Sequence, residues 1–409
     1  MEHEDITYYA VGGAVRDLLL DRKYRDVDYA FTGSEKDFLQ RNPSACKIET
    51  GNSVIYFLHG QEYAFLGTTE KQSLPAFEKD LLRRDFTINA LLLSPGGVLH
   101  AHPLAFTDLR AKCIRPASAS ALKDDPVRCF RAARFTALLP DFHLHEETVA
   151  RMREAASKNR LSTIAAEQVG KECLKACAAL KPGNFLRSLS KTDCLAPWFS
   201  DFARGGDLPA GPARYHTDSV LEHTATVMDG SAANIRILLD NAVTDKTIFR
   251  TASTSPEKHK KMLTSLTAWM ALCHDLGKTA TPGELLPRHL GHEARGRDMA
   301  GILGARLHLP RLFIKAGMLA ASLHMKAALY GDLRPGTKLD LLSALRPPLL
   351  ALPFAALVAT DSGQEQLPFR IFQDLERILS VRLPAQFRNQ GKKSGERLRQ
   401  MRCGILGLS

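Results

Sequence analysis

No stretch of the 409 residues approaches the roughly 18 consecutive apolar residues that a membrane-spanning helix needs, which argues against a helical membrane protein. The first residues, MEHEDITYY, are acidic and carry no apolar signal segment, so the cytoplasm is the expected location. Eight cysteines (46, 113, 129, 173, 177, 194, 273 and 403) are scattered with no C-x-x-C pair, and neither a zinc ribbon nor a disulfide framework is expected. Cys173 and Cys177 fall on one helical face and read as small core residues. No internal repeat or sustained low-complexity tract appears. Acidic residues are in the minority, 44 against 55 Lys and Arg, and the resulting net charge of +11 with a pI near 9.3 favours a polyanionic partner. The positive charge clusters at Arg83-Arg84, along 110–134, and from Arg382 to Arg402. What the chain does have is length and 44% hydrophobic residues, enough for two to four domains.

The organising stretch is 9–34, YAVGGAVRDLLLDRKYRDVDYAFTGS. Tyr9-Ala10-Val11 reads as the end of a buried strand and Ala14 to Leu20 as a helix. Between them, Gly12-Gly13 lets backbone amides close on a phosphate. Asp26 and Asp28 flank Val27 in a strand pattern, and period two puts both carboxylates on one face. Two hard oxygen ligands so close suit a divalent cation that bridges substrate phosphates. Residues 35–41 suit a short helix, and Val54 to Leu58 and Glu62 to Leu66 alternate as strands around His59-Gly60. Glu62 reads either as a third carboxylate facing the pair or as a charge on an exposed strand face. Residues 67–79 read as a polar connector.

GGAVRD followed by RDVD resembles the active-site signature of the tRNA nucleotidyltransferase and bacterial poly(A) polymerase family, of the class II type, and RRDFTINAL (83–91) resembles a second motif of that family. In the second motif Arg84 offers a planar fork to triphosphate oxygens, and Asp85 and Asn89 brace the loop or sugar from one helix face. KDDPVRCFRAARF (123–135) is a third match: Asp125, Arg128, Arg131 and Arg134, at spacings of three behind Pro126, are expected along one side of a helix. The resemblance implies that Asp125 and Arg128 read the base edge of incoming CTP or ATP, with the later arginines near the nucleotide. It implies Gly12, Gly13, Arg16 and Asp17 at the triphosphate, and Asp26 and Asp28 as the catalytic holders of Mg²⁺. Two departures stand out. Gly67-Thr68-Thr69 replaces an Arg-led, longer flexible loop, as in members that add only CC, and His102 replaces the acid of a glycine-containing hinge although Pro103, Asp108 and Leu109 remain.

Helical periodicity then dominates to about residue 190. Ser162 or Thr163 is expected to cap the segment AAEQVGKECLKACAAL, with Glu167 bracing the nucleotide-reading helix and Glu172 nearby. Gly205 to Pro212 is a loop by composition. Beyond it His223, His274-Asp275, His292, His324 and Asp361 form a constellation in which the order H…HD…D resembles the HD phosphohydrolase superfamily. That resemblance implies a transition metal, Ni²⁺ or Mn²⁺, on His223, His274, Asp275 and Asp361, and attack of water on a phosphoester. Residues 244–261 read as an inserted polar loop, and the tail GKKSGERLRQMRCGIL reads either as a tRNA-phosphate contact or as a solvated helix.

The expected fold is α+β: a polymerase-β-like nucleotidyltransferase head with a mixed sheet (1–115), an all-α neck (116–205), an all-α HD-type body (206–370) and a basic helical tail (371–409). The expected function is template-independent addition of CMP and AMP to the tRNA 3′ end from CTP and ATP, ending in CCA or only CC, with an HD phosphohydrolase activity beside it. A metal-dependent HD phosphohydrolase with a degenerate head is the alternative.

Overall fold

The computed structural model describes residues 6–24, 27–50, 53–70, 73–214, 217–240, 255–345 and 348–407. Asp26, and residues 244–254 of the expected insertion, lie outside the described residues. Backbone contacts divide the chain into two compact units, the first comprising 1–132 with 141–158 and the second 133–140 with 159–409.

The first unit is built on a seven-stranded mixed sheet of order β3-β4-β5-β2-β1-β6-β7, comprising β1 (Thr7–Val11), β2 (Asp28–Thr32), β3 (Cys46–Thr50), β4 (Ser53–Leu58), β5 (Gln61–Phe65), β6 (Leu91–Leu93) and β7 (Leu99–Ala101). Only β2 and β5 pair in parallel; every other neighbouring pair in this sheet is antiparallel. Strand alternation gives the sheet two apolar faces. Tyr9, Val11 and Ala30 pack with Phe77 and Leu81 of α3 (Leu74–Arg83), while Phe31 and Tyr56 pack on Phe38 of α2 (Glu35–Arg41), which follows α1 (Gly13–Leu19). Phe31 and Phe38 stack at 4.3 Å, a geometry that adds about 0.5–1.5 kcal/mol to the area buried. The expected connector is thus too long: a helix begins at Leu74, behind Ser73 and with Pro75 in its first turn, because Phe77 and Leu81 at i, i+4 have a sheet face to cover. Helices α4 (Ala105–Arg110), α5 (Ala121–Asp124), α6 (Val127–Leu138) and α7 (Glu146–Ser157) follow, and the division between the units falls inside α6.

The second unit is helical: α8 (Ala166–Cys177), α9 (Gly183–Lys191), α10 (Val220–Asp240), α11 (Pro256–His274), α12 (His292–Arg306), α13 (Arg311–Ala328), α14 (Pro335–Ala344), α15 (Ala351–Ser362), α16 (Leu367–Ser380) and α17 (Lys392–Leu406). Helix α11 is buried on all sides from Leu263 to His274, the expected state of a helix apolar all round, with α10, α13 and α15 packed against it. Gly317 admits a close approach of α13 to α11, since a Cβ there would stand 2.8 Å from Cys273 Sγ and 2.9 Å from Trp269 Nε1. Cys173 and Cys177 are buried, as expected. The expected cap at Ser162 or Thr163 is absent: these residues lie in a 3₁₀ turn, their hydroxyls donate back to the carbonyls of Asn159 and Arg160, and Ala165 starts α8. The basic tail forms α17 against α14 and α16, tied by Arg399 to Asp340.

Candidate functional site

In the first unit Asp28 opens β2 and is exposed. Its antiparallel partner is Val11, the residue before Gly12, and the parallel register Tyr29↔Tyr63 sets Glu62 beside it on the next strand. Alternation turns Asp28 and Glu62 to the face that carries Ala30 and Ala64. Gly12 has φ 68° and ψ −127°, a conformation natural only to glycine, and a Cβ there would stand 3.2 Å from Arg84 Nη1. Arg84, at the end of α3, is held by Asp80 Oδ2 at 2.8 Å. The glycine turn and the arginine fork therefore face one another.

Behind that turn runs a chain of hydrogen-bonded side chains. Arg16, 3% exposed, donates through Nε and Nη2 to Asp17 Oδ1 (2.9 and 2.8 Å) and through Nη1 to Asn89 Oδ1 (2.7 Å). Asn89 Nδ2 donates to Asp85 Oδ1 (3.0 Å), and Arg131 Nη1 donates to Asp85 Oδ2 (3.4 Å). Burial alone raises the Asp85 carboxyl, but the Arg131 charge, the Asn89 amide and the Phe86 N–H outweigh it and hold the group below its ordinary value. Asp85 and Asn89 do meet, though not on a helix face as expected. Helix α3 ends at Arg83, Arg84 and Phe86 are extended with Asp85 in a bend between them, and only 87–89 form a 3₁₀ turn. The cause is pairing with distant backbone: Thr87 N donates to Arg115 O (2.9 Å) and Ala117 N to Asp85 O (3.2 Å).

The four-residue face expected around α6 also divides. Asp125 lies outside the helix in extended backbone and accepts from Val127 N (3.2 Å). Arg128 comes within 3.6 Å of Asp125 Oδ2 and spends its other donors on the carbonyls of Arg83 (2.7 Å), Arg84 (3.1 Å) and Ala121 (3.3 Å), clamping the end of α3. Spacing by three falls short of a turn by about 60° each step, so 128, 131 and 134 fan out. Arg134 belongs to the second unit and donates to Glu172 (2.5 Å), a buried acid. Glu172, not Glu167, thus braces α6; Glu167 is exposed and pairs with His308 (2.6 Å). The clue was Glu172's place on the buried face of α8 with Val169, Cys173 and Ala176.

In the second unit the HD pair ends α11 and the other ligand candidates converge on it. His223 of α10 lies 3.3 Å from Asp275 Oδ2 and from Asp361 Oδ1 of α15; His274 Nε2 lies 3.2 and 3.7 Å from the same two oxygens. Two further residues join that the expected ligand set omitted: His292 of α12 and His324 of α13, each 3.4 Å from Asp275 Oδ1. The donors form two triplets that share Asp275, namely His223, His274, Asp275 and Asp275, His292, His324. Asp275 is 1% exposed, and neither of its oxygens, nor His274 Nε2, has a hydrogen bond of acceptable geometry among the described residues. Buried polar atoms left unsatisfied in a His and Asp cage fit a transition-metal cation. Burial raises Asp275, but the charges of His274 and Lys278 hold it well below the ordinary range; burial lowers His223, but Asp275 and Asp361 push it up to about 9. Lys278, three residues beyond Asp275, sits 2.7 Å from Asp275 Oδ2 and donates to Ala210 O (2.8 Å). The cluster floors a cavity of about 460 Å³.

The family model of the Poly A polymerase head domain matches residues 8–115. The multifunctional CCA protein of Halorhodospira halophila is 30% identical over 426 residues, covering 97% of this chain and 95% of that protein. That of Xanthomonas euvesicatoria is 32% identical over 433 residues, covering 98% of each. Among solved structures, the Thermotoga maritima CCA-adding enzyme complexed with tRNA_CCA superposes with a TM-score of 0.60 at 18% identity, over 99% of this chain and 88% of that one. The Bacillus stearothermophilus CCA-adding enzyme in complex with CTP gives 0.60 at 21%, over 98% and 89%. The structural likenesses establish the fold, a mixed-sheet head with a helical remainder, and no described helix is long and apolar enough to cross a membrane. With two relatives matched over nearly their whole length, the chain belongs to the multifunctional CCA protein family.

Proposed function

We propose that the chain is a cytoplasmic tRNA nucleotidyltransferase that adds CMP and AMP to the tRNA 3′ end from CTP and ATP, without a nucleic-acid template. The observation that carries this reading is the Gly12 turn, with a Cβ-free backbone facing Arg84 and with Asp28 in register beside it. Family membership implies a divalent cation. Asp26 and Asp28 would hold it as Mg²⁺, with Glu62 on the same face, and such an ion when bound draws charge from the triphosphate and eases ionisation of the ribose 3′-hydroxyl. The 3′-oxygen bonds to the α-phosphorus, the bond to the bridging oxygen breaks, and pyrophosphate leaves.

Gly12, Gly13 and Arg84 orient the triphosphate. Arg16, Asp17, Asn89 and Asp85 are committed to one another and act by fixing the turn against the RRD segment. Asp125 accepts from an exocyclic amine, and Arg128 beside it, exchanging part of its clamp on the carbonyls of Arg83 and Arg84, donates to a ring nitrogen or carbonyl, a pattern that C and A satisfy. In this reading 1–115 is the head, 116–205 the neck, 206–370 the HD-type body and 371–409 the basic tail that meets tRNA phosphates. The test is incubation of the purified protein with tRNA lacking its 3′ end and CTP, ATP or both, followed by sequencing of product ends. CCA ends are expected; products stopping at CC assign the shorter reaction, and no incorporation overturns the proposal.

A second activity is favoured by the convergence of His223, His274 and Asp361 with the buried Asp275. We propose that His223, His274, Asp275 and Asp361 hold Ni²⁺ or Mn²⁺ for hydrolysis of a phosphoester entering the cavity, where such an ion supplies Lewis-acid polarisation of phosphate oxygen. Release of phosphate from a chromogenic phosphoester that Asp275→Ala leaves unchanged would remove this assignment.

A further inference from the structure

Two arginines stand at the glycine turn, Arg84 against Gly12 and Arg16 against Gly13, and each meets a carboxylate along the same edge of its guanidinium. We infer that Asp80 is a positioning residue for nucleotidyl transfer: by holding the Nε and Nη2 edge of Arg84 it leaves Nη1 aimed over Gly12 to receive the triphosphate. The inference rests on reading Arg84 as a triphosphate ligand and adds the residue that aims it.

The two guanidinium groups are committed differently. Arg16 gives Nε and Nη2 to Asp17 and Nη1 to Asn89, so each of its nitrogens has an acceptor within the protein. Arg84 gives Nε to Asp80 Oδ2 at 2.8 Å, and Nη2 stands at the same distance from that oxygen. Among the described residues its Nη1 has no acceptor, and this is the nitrogen 3.2 Å from where a Cβ of Gly12 would stand. A guanidinium is a rigid plane, so a carboxylate on one edge sets the direction of the remaining nitrogen.

That direction has to come from Asp80, because the backbone cannot supply it. Arg84 has left α3, with φ −68° and ψ 167°, and its main chain is caught on both sides. Its N–H donates to Leu81 O (3.4 Å) and its carbonyl accepts from Arg128 Nη1 (3.1 Å). These bonds fix where the residue sits and leave its side-chain torsions free. Asp80 lies one turn earlier, next to Leu81, which is buried in the cluster that holds Ala30 and Phe77, so its carboxylate rides on an anchored part of α3. The side chains of Arg84 and Asp80 are 18% and 21% exposed, open enough for an anion to reach Nη1.

Removing Asp80 has two opposed effects. Its negative charge repels a polyphosphate, so its loss relieves that field; its loss also lets the Arg84 fork wander. At physiological ionic strength charges are screened over about 8 Å, which damps the first effect. The second is the cost of ordering one long side chain at the moment of binding, a factor of about 2 to 12 in affinity. Loss of aim is therefore expected to win.

The test is steady-state incorporation from CTP and from ATP by the full-length chain at physiological salt, comparing the parent with Asp80→Ala, Asp80→Glu, Arg84→Ala and the double variant Asp80→Ala/Arg84→Ala. Inhibition by CMP is measured beside it. Asp80→Ala is expected to raise KM for CTP and ATP by the same factor, about 2- to 12-fold, with a smaller change in kcat and none in the inhibition constant of CMP, which lacks the outer phosphates. Asp80→Glu, which keeps the carboxylate, is expected to recover part of the loss, and the double variant to be no worse than Arg84→Ala. Should Asp80→Ala unfold, Asp80→Asn is read in its place. A KM unchanged or lowered by Asp80→Ala while Arg84→Ala raises it overturns the aiming role and leaves Arg84 at the triphosphate. Equal weakening of CTP and CMP, or a double variant worse than Arg84→Ala by the full factor, also overturns it. No rise in KM with Arg84→Ala overturns the reading of Arg84 beneath it.

Discussion

Asn89→Ala removes a side chain that links the buried Arg16 guanidinium to the buried Asp85 carboxylate. Its carbonyl receives Arg16 Nη1 at 2.7 Å and its amide donates to Asp85 Oδ1 at 3.0 Å, and Asn89 itself is only 6% exposed. A hydrogen bond to a charged group contributes about 1.5–3 kcal/mol, and leaving its partner buried and unmet costs a similar amount. Arg16 keeps Asp17 and Asp85 keeps Arg131 and the Phe86 N–H, so the two losses are partial. The expected cost is about 2–4 kcal/mol, confined to the contact between α1 and the 85–89 segment. Hydrogen-exchange mass spectrometry on the full chain reads it directly: amides of peptides spanning 12–20 should exchange about 30- to 700-fold faster, while those of α11 stay unchanged. Exchange in 12–20 equal to that of the parent would refute the idea that this network fixes the glycine turn.

Three other outcomes follow from the same geometry. Asp28→Ala should abolish CMP incorporation while tRNA binding, measured by filter retention, persists, because the lost charge serves the cation rather than the RNA. Asp85 has a folded pKa below its ordinary value, so its stabilisation is present above the unfolded value near 3.9 and is lost as pH falls through the lower folded one; Asp85→Asn should flatten the fall in melting temperature across that acid range and lower the melting temperature at neutral pH. Gly277→Ala drives a Cβ to 2.0 Å from His292 O, so it should cost phosphoester hydrolysis at the cavity, yet leave CTP incorporation by the first unit within about twofold of the parent, assayed side by side.

Much of the head was legible because local pattern and tertiary need agree there. Alternation read β4 and β5 to within a residue, and the short helix expected over 35–41 is α2. Strand β3, CKIET, escaped because its residues are polar or half-exposed and offer no apolar period. Asp85 and Asn89 looked like one helix face since i, i+4 spacing is all a sequence displays; the extended backbone comes from pairing with 115–117, thirty residues away. The same limit explains Glu167 and Glu172, two acids on one helix distinguished only by which face is buried. In the second unit the constellation of His223, His274-Asp275, His292, His324 and Asp361 was readable, whereas the choice of His292 and His324 as partners of Asp275 depends on the backbone contact at Gly277 and Gly296, which leaves no local signature.

The two candidate sites offer a cation opposite donor chemistry. In the first, the ligands proposed are carboxylates on an exposed strand end, where Asp28 is open to water and an ion keeping its own hydration shell can be shared with a triphosphate. In the second, imidazoles with their Nδ1 protons tied to backbone carbonyls enclose a carboxylate that is 1% exposed, so an ion must shed most of its water to enter. Mg²⁺ dehydrates reluctantly and prefers oxygen, whereas transition ions bind imidazole strongly. On the proposed reading, Mg²⁺ would therefore favour the strand end and a transition ion the helical cluster. Neither site would then have to exclude the other's metal by fit alone, because an exposed β2 terminus and a buried cluster drawn from α10, α11, α12, α13 and α15 differ in solvation.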